Sequence, residues 1–177
     1  MFEPSTVYAK IAYDAILLYL KTGKKLFKEE SEIPPALKLN LPCYVSLYSG
    51  NQLKGCIGHS TPVHSNLYNE IIENAVAAAF EDQTRGTLKE EELNNISISV
   101  DVMSEPKPVS DVSQLKPHKH GLIIEDSQGK RALLLPNANG SDSIENLLGR
   151  ARKQAGIDPN TPLDQLQVYS FTTTRYQ

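Results

Sequence analysis

Tryptophan is absent from this chain of 177 residues, and cysteine occurs only twice, as Cys43 and Cys56. Two cysteines in no CxxC pattern cannot build a disulfide scaffold or a thiolate zinc cluster. Long hydrophobic runs are missing too. The longest, residues 15–20 and 75–80, fall far short of the ~20 apolar residues that a membrane span needs. Met1-Phe2-Glu3-Pro4 carries no basic region and Asp14 interrupts the apolar stretch that follows, so no export signal is expected. The two thiols are therefore expected to stay reduced in the cytoplasm, although neighbouring strands could bring them together. An excess of basic charge is also lacking: 18 Lys and Arg stand against 21 Asp and Glu, a net charge of -3. That argues against a general nucleic-acid binder. Ten glycines and 11 prolines are too few for a low-complexity chain, and 40% hydrophobic with 22% charged residues is ordinary globular composition. The length predicts one domain, or two small lobes sharing a core.

Val7, Ile11, Ala15 and Leu18 recur at helical spacing between Ser5 and Gly23, which predicts an amphipathic helix. Residues 44–48 and 52–57 read as two strands around Ser49-Gly50-Asn51, a hairpin. Leu67, Ile71, Ala75 and Ala78 mark a second helix. Thr87-Leu88-Lys89-Glu90 has capping-box form and predicts a helical turn ending near Leu93. Ile96, Ile98, Val100 and Val102 alternate with Ser97, Ser99 and Asp101 in the clearest strand of the chain. Hairpin, helix and strand then recur. Residues 121–125 and 131–135 flank a turn, Asp142-Ser143-Ile144-Glu145 opens a helix that Gly156 stops, and residues 168–173 form a closing strand. This order suggests a duplication. It predicts an α+β fold with antiparallel pairing rather than a parallel sheet.

Leu53-Lys54-Gly55-Cys56-Ile57-Gly58 is unusual for a strand, because two glycines weaken it unless something must approach closely. With a three-residue loop, Leu47 faces Leu53, Ser46 faces Lys54 and Tyr44 faces Cys56. Tyr44, Ser46, Lys54 and Cys56 then share a polar face. A nearby lysine favours the thiolate, as does the start of a helix near Ser65, which makes Cys56 a candidate nucleophile. Cys56 is then expected to alkylate faster than Cys43. The plainer alternative is a small packed cysteine with glycines that serve packing.

The same hexapeptide resembles the signature Leu-Arg-Gly-Cys-Ile-Gly of the AMMECR1 domain family. Residues 77–82, Glu92-Leu93 and 96–103 resemble its middle section. Gly121-Leu122-Ile123, residues 133–136 and 140–143, Ala155-Gly156-Ile157 and the terminal Arg175-Tyr176 resemble its bacterial branch, the AmmeMemoRadiSam system protein A. The resemblance implies a two-lobed α+β fold, with an N-terminal lobe of about residues 1–105 and a C-terminal one of about 115–177. It places the hexapeptide beside a cleft between the lobes, and it implies Memo-like and radical-SAM partners. Three positions depart from the family pattern. Lys54 replaces an arginine, Asp82-Gln83-Thr84-Arg85 replaces Asp-Pro-Arg-Phe, and Gln154-Ala155-Gly156 replaces Lys-Ala-Gly.

Two function classes follow. The first is a substrate-binding or adaptor subunit. The second is an enzyme that modifies a small molecule or macromolecule, with Cys56 and Lys54 as catalytic residues and Glu81, Asp82 or Arg85 in support. Cys56, His59 and His64 lie at a formal metal-ligand spacing with no evident fourth ligand, so no metal is assigned. No Walker loop, Gly-x-Gly-x-x-Gly, HExxH or Ser-His-Asp order is present, so no cofactor is assigned either.

Overall fold

A computed structural model of the chain describes residues 4–82, 86–136 and 143–177. It is an α+β fold whose strands pair antiparallel. The chain divides into two compact units, residues 1–103 with 174–177, and residues 104–173.

The first unit begins with α1 (Val7–Thr22). Thr6 caps it by accepting the Ala9 N–H at 3.3 Å, and Gly23 ends it in the left-handed region at φ 69°. Strands β1 (Cys43–Ser49) and β2 (Gln52–Gly58) form the expected hairpin, and β3 (Ile96–Met103) pairs with the other edge of β1. Helix α2 (Leu67–Phe80) is capped by Asn66, which accepts the Asn69 N–H at 2.9 Å. It packs on β1, β2 and α1. The core joins Ile11, Ala15 and Ile16 of α1 to Leu67, Ile71, Ala75 and Ala78 of α2, and to Val45, Leu47, Ile98 and Val100 of the sheet. The apolar stripes that predict the two helices are therefore the surfaces that meet.

The hairpin register differs from the three-residue loop expected. Ser49 pairs with Gln52 across a two-residue turn, Gly50-Asn51, with Gly50 at φ 56°. Positive φ at the first turn position suits the tight turns that match strand twist. A bulge then shifts the register between Leu47 and Tyr48. Beyond it Leu47 faces Gly55, Ser46 faces Cys56 and Tyr44 faces Gly58. The extra residue restores parity, so the apolar side still meets the core although the pairing slides by two positions.

Helix α3 (Glu90–Leu93) starts two residues later than Thr87-Leu88-Lys89-Glu90 suggests. Its reciprocal contact is Glu92 Oε2 accepting the Lys89 N–H at 3.0 Å.

In the second unit, β4 (Lys107–Pro108) and β5 (His120–Glu125) both pair with β7 (Gln167–Tyr176), and β6 (Arg131–Leu134) pairs with β5. Helix α4 (Ile144–Ala155) packs on β5 and β6. Its cap is Ser143, which accepts the Asn146 N–H at 3.2 Å; Asp142, expected to open the helix, lies outside the described residues. Leu147, Leu148 and Ala151 join Leu122, Ile124, Leu134 and Val168 in a second core. The order hairpin, helix, strand thus occurs once in each unit. No helix among the described residues is long and apolar enough to cross a membrane.

Candidate functional site

Gly55 and Gly58 explain themselves by contact. A Cβ on Gly55 would overlap the carbonyl oxygen of Ala78 in α2 and lie 2.9 Å from its carbon. One on Gly58 would overlap the backbone carbonyl of Cys43 and stand 2.7 Å from the Tyr44 Cα. Both glycines let backbone approach backbone. Gly55 therefore faces the helix, and Cys56, its neighbour in a strand, points to the opposite side of the sheet.

On that side the three strands set up a polar cluster. Register places Cys56, Ser46 and Ser99 in one cross-strand row, and Gly58, Tyr44 and Asp101 in the next. The Ser46 hydroxyl donates to Cys56 Sγ at 3.2 Å. Cys56 is half-buried, whereas Ser46, Ser99 and Asp101 are buried. Asp101 holds Arg175 in a bidentate grip, with Nε to Oδ1 and Nη2 to Oδ2 both at 2.9 Å. These bonds come first in raising the guanidinium's pKa; Tyr48 and Cys56 lie close enough to add to it. The side chain of Asp101 is 2% exposed and that of Arg175 is 47% exposed. The grip thus anchors a cation whose far side meets solvent. Tyr176 secures the position from the other face of the strand, stacking on Tyr8 of α1 with ring centroids 3.9 Å apart. Ser99 Oγ is buried and has no hydrogen-bond partner among the described residues.

Lys54 stands apart from this cluster, contrary to the shared polar face expected of it. It is the residue in excess at the bulge, and its ammonium pairs with Glu92 Oε1 at 3.3 Å. The Lys89 N–H, and then Lys54, hold the Glu92 carboxyl below its usual range. Lys54 also lines a cavity of about 50 Å³ with Leu47, Ala78, Leu88 and Glu92, on the helix side of the sheet. The cation near Cys56 is Arg175 instead.

Asp82 does reach the hexapeptide, accepting the Cys56 N–H at 3.2 Å through Oδ2. β2 lies at the edge of this unit's sheet, so that amide points outward and Asp82 satisfies it. Glu81 is exposed, and its N–H closes α2 on the Ala77 carbonyl at 2.8 Å. Arg85 lies outside the described residues. Neither Cys43 nor Cys56 forms a disulfide. Cys43 sits on the helix side of β1, where burial pushes its thiol up to about 12. No group of three His, Cys, Asp or Glu gathers at metal-binding distance among the described residues, His59 and His64 included.

Two elements of the site carry little signal in the sequence. Asp101 and Ser99 occupy the polar phase of an alternating strand, which reads as a solvated face, yet both are buried. Glu70 reads as a surface residue of α2. It is buried, accepts the backbone N–H groups of Val63 and His64, and binds Asn74 Nδ2 at 3.4 Å. Asn74 in turn donates to the Cys43 carbonyl at 3.0 Å. Together they tie the segment after the hexapeptide to β1 and α2.

A model of the AMMECR1 domain family matches residues 9–176. A protein from Thermotoga maritima is 37% identical over 171 residues, which cover 96% of this chain and 97% of that protein. The protein CA_C1420 from Clostridium acetobutylicum is 33% identical over 96% of this chain, and the match spans 36% of its length. Among solved structures, the uncharacterized protein PH0010 from Pyrococcus horikoshii superposes with a TM-score of 0.87 at 29% identity. That match covers 95% of this chain and 88% of the other.

Proposed function

This chain belongs to the AMMECR1 domain family, and from that premise and the geometry around Arg175 we propose that it is a substrate-binding subunit for an anionic small molecule. The observation that carries this reading is the Asp101–Arg175 pair. A buried carboxylate fixes the guanidinium through two of its five N–H donors, and the side chain remains half exposed. A fixed, half-exposed arginine recognises a carboxylate or phosphate better than a mobile one, because less conformational freedom is lost on binding. The orphaned Ser99 hydroxyl and the Cys56–Ser46 pair lie on the same sheet face and supply uncharged contacts. The bacterial-branch resemblance supports Memo-like and radical-SAM proteins as the partners to which such a subunit delivers its ligand. Two thiols outside any disulfide, on opposite faces of one sheet, suit a cytoplasmic protein.

A second reading makes Cys56 a nucleophile in a modification reaction. It is favoured by the hydroxyl that Ser46 presents to Sγ and by the nearby Arg175 charge, both of which stabilise a thiolate. Asp82 holds the Cys56 backbone in either case.

Mass spectrometry of the protein captured from its native cell separates the two. Under the binding reading a small anionic molecule accompanies the wild type and Cys56→Ala, and Arg175→Gln loses it. Under the enzyme reading a covalent mass increment sits on Cys56 and vanishes in Cys56→Ala. Equal ligand content in the wild type and Arg175→Gln refutes the binding proposal. Recovery of the partners with the wild type tests the delivery role.

A further inference from the structure

The segment that leaves α1 carries the most exposed large hydrophobic side chain among the described residues, Phe27, at 73%. Residues 24–29 run without helix, strand or turn, and Lys24, Lys25, Lys28, Glu29 and Glu30 are exposed around the ring. Leu26 is half-buried and packs against the main core, which fixes the strip to the first unit. No backbone N–H or carbonyl of residues 25–28 enters a backbone hydrogen bond among the described residues. A single exposed ring is ordinary on a protein surface, so Phe27 alone indicates no partner. The charges around it do.

Those charges are antisymmetric about Phe27. Lys24 and Lys25 precede it by three and two residues, and Glu29 and Glu30 follow it by two and three. A polyanionic surface, bilayer or nucleic acid, is attracted by the first half and repelled by the second, which Glu32 extends. A cationic partner meets the reverse problem. The same strip running in the opposite direction satisfies both halves. With a two-fold axis through Phe27, Lys24 of each copy meets Glu30 of the other, Lys25 meets Glu29, and the two rings meet at the axis. No lysine then opposes a lysine, and no glutamate a glutamate. Two identical stretches of backbone related this way are antiparallel, so their N–H and C=O groups can pair as in a sheet. Lys25 already binds Glu73 in its own chain. The new ion pair is therefore Lys24 with Glu30, neither of which enters a salt bridge among the described residues.

We propose that this strip is a homodimer contact, on which a second copy of the chain docks across a two-fold axis at Phe27. A standard interface takes about 20–30 residues a side, far more than residues 24–30 supply, so the dimer is weak and forms only as concentration rises. The contact uses none of the residues around Arg175, so it stands whether or not the reading of that face holds.

Sedimentation velocity of the full-length chain at low salt, from about 10 µM to about 1 mM, tests the contact. The wild type is expected to move from a mass of 19.6 kDa toward twice that value. Lys24→Glu and Glu30→Lys each put like charges across the axis, twice per dimer, and are each expected to raise the dissociation constant at least about tenfold. The double variant carrying both changes restores opposite charges and is expected to return to the wild-type range. Phe27→Ser alters only an exposed side chain and is expected to remain monomeric throughout; thermal melting checks that each variant is folded. The proposal is overturned if the wild type stays monomeric at every concentration, which would leave the strip to a different protein. It is equally overturned if Phe27→Ser dimerises like the wild type, if neither single reversal weakens association, or if the double variant stays as weak as the single ones.

Discussion

Replacing Gly55 by alanine tests the close approach of β2 to α2 with a single methyl group. The added Cβ would lie 2.9 Å from the Ala78 carbonyl carbon, against the 3.4 Å at which ordinary contact begins, and closer still to the oxygen. The shortfall on the carbon alone is 3.4 − 2.9 = 0.5 Å, and the obstacle is helix backbone, which no rotamer change can move aside. Ala78 and its neighbours Ala75 and Ala79 are buried in the main core, so α2 can retreat only by loosening contacts along its whole inner face. Overpacking of this kind costs about 1–3 kcal/mol. The loss of unfolded-chain freedom on going from glycine to alanine returns about 0.4–1 kcal/mol. The net loss of about 1–2 kcal/mol lowers Tm by roughly 2–8 °C for a protein of this size. Gly149→Ala is the control. Gly149 lies within α4 with open space around the position of its Cβ, and there the same change is expected to raise stability by about 0.5–1 kcal/mol. Urea titration and thermal melting of both variants decide the matter. If Gly55→Ala is as stable as the wild type, or shifts in the same direction as Gly149→Ala, the packing account of the hexapeptide glycines is wrong.

Alkaline stability reports on Cys43. Burial raises its folded-state pKa to about 12, above the ~8.5 of an unfolded thiol. The folded state then holds a proton that the unfolded state has lost. Stability is fully present below about pH 8.5 and falls as the pH rises toward 12. Cys43→Ala, compared at each pH with its own value at pH 7, is expected to lose this part of the alkaline decline in urea titrations; an unchanged slope contradicts the assignment. Ser143→Ala removes the cap of α4 and is expected to cost about 1 kcal/mol by the same assay. An effect below a few tenths of a kcal/mol would mean that the helix start is held by other contacts.

The elements that the sequence predicts well are those whose signal is periodic and local. α1, α2 and β3 show their apolar phases directly, and the caps at Thr6, Asn66 and Ser143 sit within a residue or two of where the pattern begins. Register is harder, because a two-residue turn with a bulge and a three-residue loop put the same side chains on the core. The apolar pattern cannot distinguish them, and the difference decides whether Lys54 or Cys56 faces Ser46. Polarity and burial also part company on β3. Alternation tells which side of the strand is polar, but it does not show that Ser99 and Asp101 are buried or that Arg175, 74 residues away, closes on Asp101. That contact is long-range, and the only sequence trace of it is the family resemblance at Arg175-Tyr176.

We propose that the polar sheet face, with Arg175 beside Cys56, is where the protein does its work. Alkylation by iodoacetamide at neutral pH, followed residue by residue in the folded protein by mass spectrometry, tests it most directly. At pH 7 a thiol of pKa about 12 is ionised about a thousandfold less than an ordinary one, so Cys43 serves as an internal baseline. Cys56 is predicted to label at least about tenfold faster than Cys43, and Arg175→Gln and Ser46→Ala are each predicted to slow it without unfolding the protein. Labelling of Cys56 no faster than Cys43, or at a rate that neither substitution changes, would contradict an accessible thiol under the influence of Arg175 and Ser46, and leave Cys56 a packed structural residue.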